Sequence, residues 1–112
     1  MKIFLLSLLA SLPAFAQHSV TLTWPWSQGV GDPATGFHCQ RASVTGGPYT
    51  IVQTSSALTL TCTDNTVVAG QTYFYIVTAF NSGGDGPPSN EVKTVIPISV
   101  PNAVSGLNAT VK

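Results

Sequence analysis

The sequence predicts an all-β chain folded as a small antiparallel sandwich, on three observations. Apolar residues recur at every second position in short runs, the runs are separated by clusters of Gly, Pro, Asn, Asp and Ser, and no stretch carries apolar residues at helical spacing long enough for a helix. Two-residue periodicity places one side of each strand inward and the other outward, so several such runs need a second sheet to cover their apolar side.

Before the strands are placed, the opening MKIFLLSLLASLPAFAQ is set aside. Lys2 gives a positive start, Ile3 to Leu12 an apolar stretch and Ala14-Phe15-Ala16 a small-x-small cleavage site, so residues 1–16 read as a secretory signal and the exported chain begins at Gln17. The apolar run is interrupted by Pro13 and falls short of the ~20 residues that span a bilayer. The expected location is secreted, extracellular or periplasmic.

In the first strand Val20, Leu22 and Trp24 alternate with Ser19, Thr21 and Thr23, until Pro25 ends it or marks a bulge. SQGVGDPATG is a loop. The second strand places Phe37, Cys39 and Arg41 on one face and His38 and Gln40 on the other. TGGPYT is a turn, with glycines suited to positive φ, and a short strand over 49–53 follows. In ALTLTCTD, Leu58, Leu60 and Cys62 share the inner face, and Asp64-Asn65 form the turn that ends the strand. The fifth strand sets Tyr73, Tyr75, Val77 and Ala79 against Phe74, Ile76, Thr78 and Phe80. After NSGGDGPPS a last strand covers 90–96.

Cys39 and Cys62 are each in phase with the apolar residues of their own strands, so both face the core. In an oxidising compartment two cysteines allow one intramolecular bridge, which on the chain-entropy model restricts the unfolded chain by roughly 3 kcal/mol. Two buried thiols acting as small apolar groups are the other reading. Two cysteines without a nearby histidine pair make an incomplete metal site.

Composition narrows the function classes. Charged residues are 7% of the chain and the formal net charge is zero, so no basic field marks a nucleic-acid or anionic-lipid partner. The four acids and two histidines lie near strand ends, loops or the new N-terminus, with His38 facing outward, and no nucleophile-elbow pattern accompanies the many Ser and Thr residues. No catalytic residue, cofactor site or metal site is expected, and the chain is read as a non-enzyme. Asn108-Ala109-Thr110 matches a glycosylation sequon, a weak signal in isolation.

With these residues in order, residues 19–97 resemble the fibronectin type III domain, particularly its bacterial secreted versions. VTLTW resembles that family's second strand with its core tryptophan, here Trp24. GFHCQRASVTGGPYT resembles the hairpin that follows, and CTD with VVAGQTYFYIVTAFNSGGDGPPSNEV resembles the last three strands. The resemblance implies an immunoglobulin-like sandwich of about seven strands, with Tyr73 as the tyrosine corner whose hydroxyl satisfies nearby backbone. It implies extracellular protein interaction, adhesion or spacing, not catalysis. The Arg-Gly-Asp tripeptide of some animal members is absent, because the matching loop reads Ser82-Gly83-Gly84-Asp85-Gly86.

Two surface features stand as candidate interaction sites. Trp26 either caps the core edge or offers a ring for stacking on a sugar or peptide, the latter making an accessory carbohydrate-binding module the alternative function. Phe74, Ile76 and Phe80, with Val95, form an apolar stripe on the outer face of a sheet, either shielding one another or serving as a docking surface. The partner is expected to be an extracellular protein or polysaccharide.

The domain organisation is thus a signal at 1–16, a sandwich at 17–97, and a linker and tail at 98–112. Cleavage leaves two residues before the first strand, too few for the strand A that the resemblance implies. NAVSGLNATVK looks like such a strand, with Val104, Leu107, Ala109 and Val111 as its apolar contacts. Three arrangements satisfy this: the tail returns to complete its own sheet, which is the expectation favoured here; it is donated to the next subunit in a head-to-tail assembly; or the gene is truncated and the tail unstructured.

Overall fold

The computed structural model describes residues 18–112, so the leader read at 1–16 lies outside the described residues. Among the described residues seven strands form: β1 (Val20–Thr23), β2 (Gly36–Ala42), β3 (Thr50–Ser56), β4 (Thr61–Asp64), β5 (Thr72–Asn81), β6 (Gly84–Asp85) and β7 (Val92–Val95). β1 pairs antiparallel with β4 in a two-stranded sheet, and β3, β2, β5 and β6 line up in a second sheet in which β7 also pairs with β5. The all-β antiparallel sandwich expected from the two-residue periodicity is the observed architecture.

The second sheet is built on β5, the longest strand. Its register sets Cys39 opposite Val77 and Arg41 opposite Tyr75, so Phe37, Cys39, Arg41, Tyr73, Tyr75, Val77 and Ala79 share the inner face as the alternation requires. β6 and β7 are two pieces of one edge. Between them Gly86 N–H and Ser89 N–H still bond to the Ala79 and Val77 carbonyls, at 2.7 and 2.9 Å, while Pro87 and Pro88 interrupt the ladder. Proline has no N–H to give, so it is tolerated only on such an edge.

Tyr75, Phe37 and Cys39 are the largest fully buried side chains, and Val67, Tyr73, Tyr75 and Ile96 pack together with Val20 and Leu22 against them. Phe37 lies between two tryptophan rings, each edge-on with centroids 5.3 Å away. Cys39 and Cys62 form a disulfide joining β2 of one sheet to β4 of the other. At 0% and 3% exposure, both cysteines lie within the core.

Two expectations are corrected and one is extended. Leu58 is 95% exposed instead of core-facing, because β4 begins only at Thr61 and the preceding residues form a tight turn closed by Thr59 N–H to the Ser56 carbonyl. Asp64 ends β4 in the expected turn, which its Oδ1 closes by accepting the Thr66 N–H, and its side chain is also buried within the sandwich. The tail does not complete its own sheet: residues 98–112 contain no strand and are exposed throughout, and β1 has β4 as its only neighbour among the described residues. The chain leaves β7 at the end of the sandwich where β1 begins, so a direct return along β1 would run parallel to it, the less stable pairing.

Candidate interaction surface

The loop from Pro25 to Thr35 carries the chain from the first sheet to the second and shapes one end of the molecule. Thr35 N–H donates to the Phe80 carbonyl at 2.7 Å and fixes the loop's exit, while Gln28 Nε2 donates to the Gly31 and Asp32 carbonyls at 2.9 and 3.2 Å. Trp26, held against Phe37 by one edge, is 42% exposed. Between this loop and the β5–β6 turn lies an open cleft of about 420 Å³, with Trp26, Phe80, Gln28, Asp32, Asn81 and Asp85 among its lining residues.

Phe80 reaches the cleft because β2 begins with glycine. A Cβ at Gly36 would run into the Ser55 carbonyl and lie about 3.0 Å from the Phe80 ring, so only glycine fits beneath it. On its other side the ring stacks on His38, with centroids 4.0 Å apart and planes within 6°. His38 Nδ1 is 3.0 Å from Asp85 Oδ1. Thr78 Oγ1 donates to Asp85 Oδ2 at 3.4 Å and accepts from Gln40 Nε2 at 3.2 Å. His38 is therefore engaged between a ring and a carboxylate, where the sequence alone suggested a solvated side chain.

The other stripe residues do not form one exposed patch. Phe74 is half-buried opposite Ala42 and Lys93. Ile76 is only 9% exposed, and Glu91 ties down the tip of the β2–β3 hairpin. Thr45 Oγ1 donates to Glu91 Oε1 at 2.6 Å, Gly46 N–H to Oε2 at 2.8 Å, and the Tyr49 hydroxyl also to Oε2. Val95, opposite Thr72, is 62% exposed at the far end of the sheet. The fold thus brings Trp26 and Phe80 to one cleft and leaves Phe74, Ile76 and Val95 apart from it. Neither the Glu91 clamp nor the cleft shared by Trp26 and Phe80 has a local sequence signal, since each joins segments distant in the chain.

The most polar feature is internal. Asp64 Oδ2 accepts from Arg41 Nη1 and from the Tyr75 hydroxyl, both at 2.8 Å, while Oδ1 accepts from the Thr66 N–H at 3.0 Å and the Thr66 hydroxyl at 2.6 Å. Burial alone would raise the Asp64 pKa, but the hydrogen bonds from Thr66, Tyr75 and Arg41 outweigh it and hold the carboxyl below its usual value. Burial and the bond to Asp64 push the Tyr75 hydroxyl well above its usual range. With its oxygens taken by four donors, Asp64 is a structural link and not a cation ligand. Alternation carried a signal for it, since Asp64 continues the inner series Leu60, Cys62 and Arg41 continues Phe37, Cys39. Beside it, Tyr73 Oη accepts the Val68 N–H at 3.0 Å, and the Arg41 guanidinium stacks over the Tyr73 ring, 4.6 Å from its centroid. Among the described residues no group of three or more His, Cys, Asp or Glu side chains could hold a metal ion.

These features define the class: an immunoglobulin-like β-sandwich with a tyrosine corner at the turn before its longest strand. Solved structures then place it more closely. A Fn3-like protein from Clostridium thermocellum is similar at 28% identity over 73% of this chain and 80% of its own, with a TM-score of 0.58. The sixth fibronectin type III domain of human fibronectin type III domain containing protein 3 is similar at 22% identity over 76% and 77%, with a TM-score of 0.60. The twitchin kinase region from C. elegans is similar at 23% identity over 70% of this chain, with a TM-score of 0.61, but this chain spans only 14% of that region. No protein-family model matches the chain, and no curated protein does. The chain is a fibronectin type III domain in fold, a kind of module that is typically non-catalytic.

Proposed function

We propose that the chain is a secreted, non-catalytic module that acts outside the cytoplasm by binding another macromolecule, in protein interaction, adhesion or spacing, with the Trp26 cleft as its contact surface. The exposure of Trp26 at the mouth of that cleft carries the reading. A large aromatic pinned by Phe37 needs little further ordering to bind, and tryptophan is prominent among residues that dominate interface energies. The apolar leader and the disulfide support an oxidising location. Fold alone does not set function, so the surface bears the argument.

A second reading, an accessory carbohydrate-binding module, is favoured by the polar groups of Gln28, Asp32, Asn81 and Asp85 around the same ring, since sugars are held by stacking combined with hydrogen bonds. One experiment addresses both. The labelled protein, wild type and Trp26→Ala, is added to whole cells of the source organism, to their envelope proteins and to a panel of insoluble polysaccharides. Retention on envelope protein that falls at least tenfold in the variant supports the first reading, and retention on a polysaccharide with the same loss supports the second. Equal retention of both proteins on every support would remove the cleft from either role.

A further inference from the structure

Among the described residues, the first sheet ends on an open edge along the side of the sandwich away from β4. Trp24 N–H bonds to the Leu60 carbonyl at 3.3 Å, and Thr61 Oγ1 donates to the Leu22 carbonyl at 2.9 Å. Backbone groups of Leu22 and Trp24 therefore face β4, and by the alternation of an antiparallel ladder Thr21 and Thr23 turn theirs to the open edge. Beside this edge, where the two sheets part, run two adjoining cavities of about 180 and 290 Å³, lined chiefly by Leu22, Trp24, Pro25, Tyr75, Val77 and Val92. Val92 is 44% exposed there, and the Trp24 indole N–H, on the same side, is buried without a hydrogen-bond partner. An unpaired strand edge beside an apolar trough is the form of a site for an added strand: the edge supplies the main-chain bonds and the trough takes alternate side chains.

The same chain carries a segment of matching form. Leu107, Ala109 and Val111 alternate with Asn108, Thr110 and Lys112, the two-sided pattern of a half-buried strand. At six residues it spans about 20 Å when extended, enough to cover β1 from end to end. Among the described residues it is left uncovered: Leu107 is 90% and Val111 93% exposed, with Val104 at 86% before them. Direction then decides which copy it serves. A strand antiparallel to β1 must enter at the Trp24 end and run toward Val20. The chain's own tail departs from the Val20 end, where Ile96 packs with Val20 and Ile98 lies against Gly70. A tail arriving from a molecule stacked on the Trp24 end has the antiparallel direction without a turn.

We infer that residues 107–112 of one copy add as an antiparallel strand to the β1 edge of the next, with Leu107, Ala109 and Val111 in the trough. The contact is heterologous, so it propagates into an open head-to-tail chain instead of closing a dimer. It names one partner for the interaction module proposed above and rests on that reading in taking the exported chain to begin at Gln17.

The test uses the chain from Gln17 to Lys112 and a double variant, Leu107→Lys with Val111→Lys, whose changes fall on exposed residues outside the fold. Size-exclusion chromatography with light scattering should show the wild-type mass rising with concentration through a ladder of species, and the variant staying monomeric. Amide exchange at Thr21 and Thr23 should slow at least tenfold in the associated wild type and not in the variant. A synthetic peptide of residues 101–112 added to the variant should restore that slowing. A wild-type monomer at every concentration with fast exchange at both threonines overturns the inference. Slow exchange in a wild-type monomer, independent of concentration, overturns it also, because the tail would then be serving its own domain. The variant keeps Trp26 and its cleft, so its retention in the cell and envelope assay reports separately on the module reading.

Discussion

Arg41 Nη1 lies 2.8 Å from Asp64 Oδ2, and this bond joins the inner faces of the two sheets beside the bridge between Cys39 and Cys62. Asp64 is almost wholly buried, so its charge depends on protein donors in place of water. Removing one partner of a buried pair is costlier than the net worth of the pair, because the other is left without a counter-charge. Asp64→Asn is expected to lower the unfolding free energy by about 3 kcal/mol. Urea denaturation at neutral pH measures this, and a change below about 0.5 kcal/mol would show that Arg41 finds adequate solvation without Asp64.

The same carboxyl sets a slope in acid. Its pKa is lower in the folded protein than the ~3.9 of an unfolded aspartate, so between those values the unfolded chain binds the extra proton. The contribution is present in full above the unfolded value and is lost as pH falls through the folded one. Tyr75 acts in the opposite sense: its raised pKa makes a contribution that is complete below the unfolded value of about 10 and declines above it as the unfolded chain ionises. Stability measured against pH should fall at both ends. Asp64→Asn should flatten the acid limb and Tyr75→Phe the alkaline one.

Reduction of the disulfide is expected to destabilise the domain by about 3 kcal/mol on the chain-entropy model, with the thermal midpoint falling by roughly 4–8 °C per kcal/mol for a domain of this size. Both sulfurs are buried, so reductant should act through opened molecules and the reaction should quicken in mild urea. Alkylation of the native protein with mass measurement is the direct check. Two modified cysteines without added reductant would show that the bridge does not form.

What the sequence made legible follows from the range of each interaction. Strand alternation is local, and it carried the inward set from Val20 to Trp24 in β1, from Phe37 to Arg41 in β2 and from Tyr73 to Ala79 in β5, along with the phase that brings the cysteines together. The same alternation pointed Asp64 and Arg41 inward; the turn read at Asp64 forms, but the bond its other oxygen makes to Arg41 joins segments distant in the chain and had no local signal. Leu58 misled for the complementary reason: it continued the apolar phase across a turn that cut the strand short. The Glu91 clamp was not legible, because it depends on Glu91 meeting Thr45, Gly46 and Tyr49 from a distant part of the chain. The cleft needed both the Gly36 approach and the stacking of Phe80 on His38, and no window of neighbouring residues contains those contacts.

The tyrosine corner yields a local prediction. Tyr73 Oη takes the Val68 N–H at 3.0 Å while its ring packs with Tyr75, Val67 and Ile96. Tyr73→Phe keeps the ring and removes one hydrogen bond, an expected loss of about 1 kcal/mol. Chemical denaturation gives the energy, and amide exchange at Val68 locates it. Unaltered exchange at Val68 would mean that water or another acceptor replaces the hydroxyl at no cost.

Glu91 makes an acid-sensitive contact on the surface. Hydrogen bonds from Thr45, Tyr49 and the Gly46 amide lower its pKa below the usual glutamate value. In the unfolded chain a glutamate titrates near 4.3, so the anchor is intact above that value and is lost as pH falls through the lower folded one. Loss frees the tip of the β2–β3 hairpin, while the Asp64 link and the disulfide still hold the sheets together. The expected outcome is local opening ahead of global unfolding: on acidification, exchange at the Gly46 amide accelerates and the Tyr49 ring signals shift, with far-ultraviolet circular dichroism unchanged. Glu91→Ala should produce the open hairpin at neutral pH, and Glu91→Gln, which keeps one acceptor oxygen, should retain part of the protection and lose the pH dependence. Gly46 exchange that is the same in wild type and Glu91→Ala would show that the turn holds its place through its own backbone.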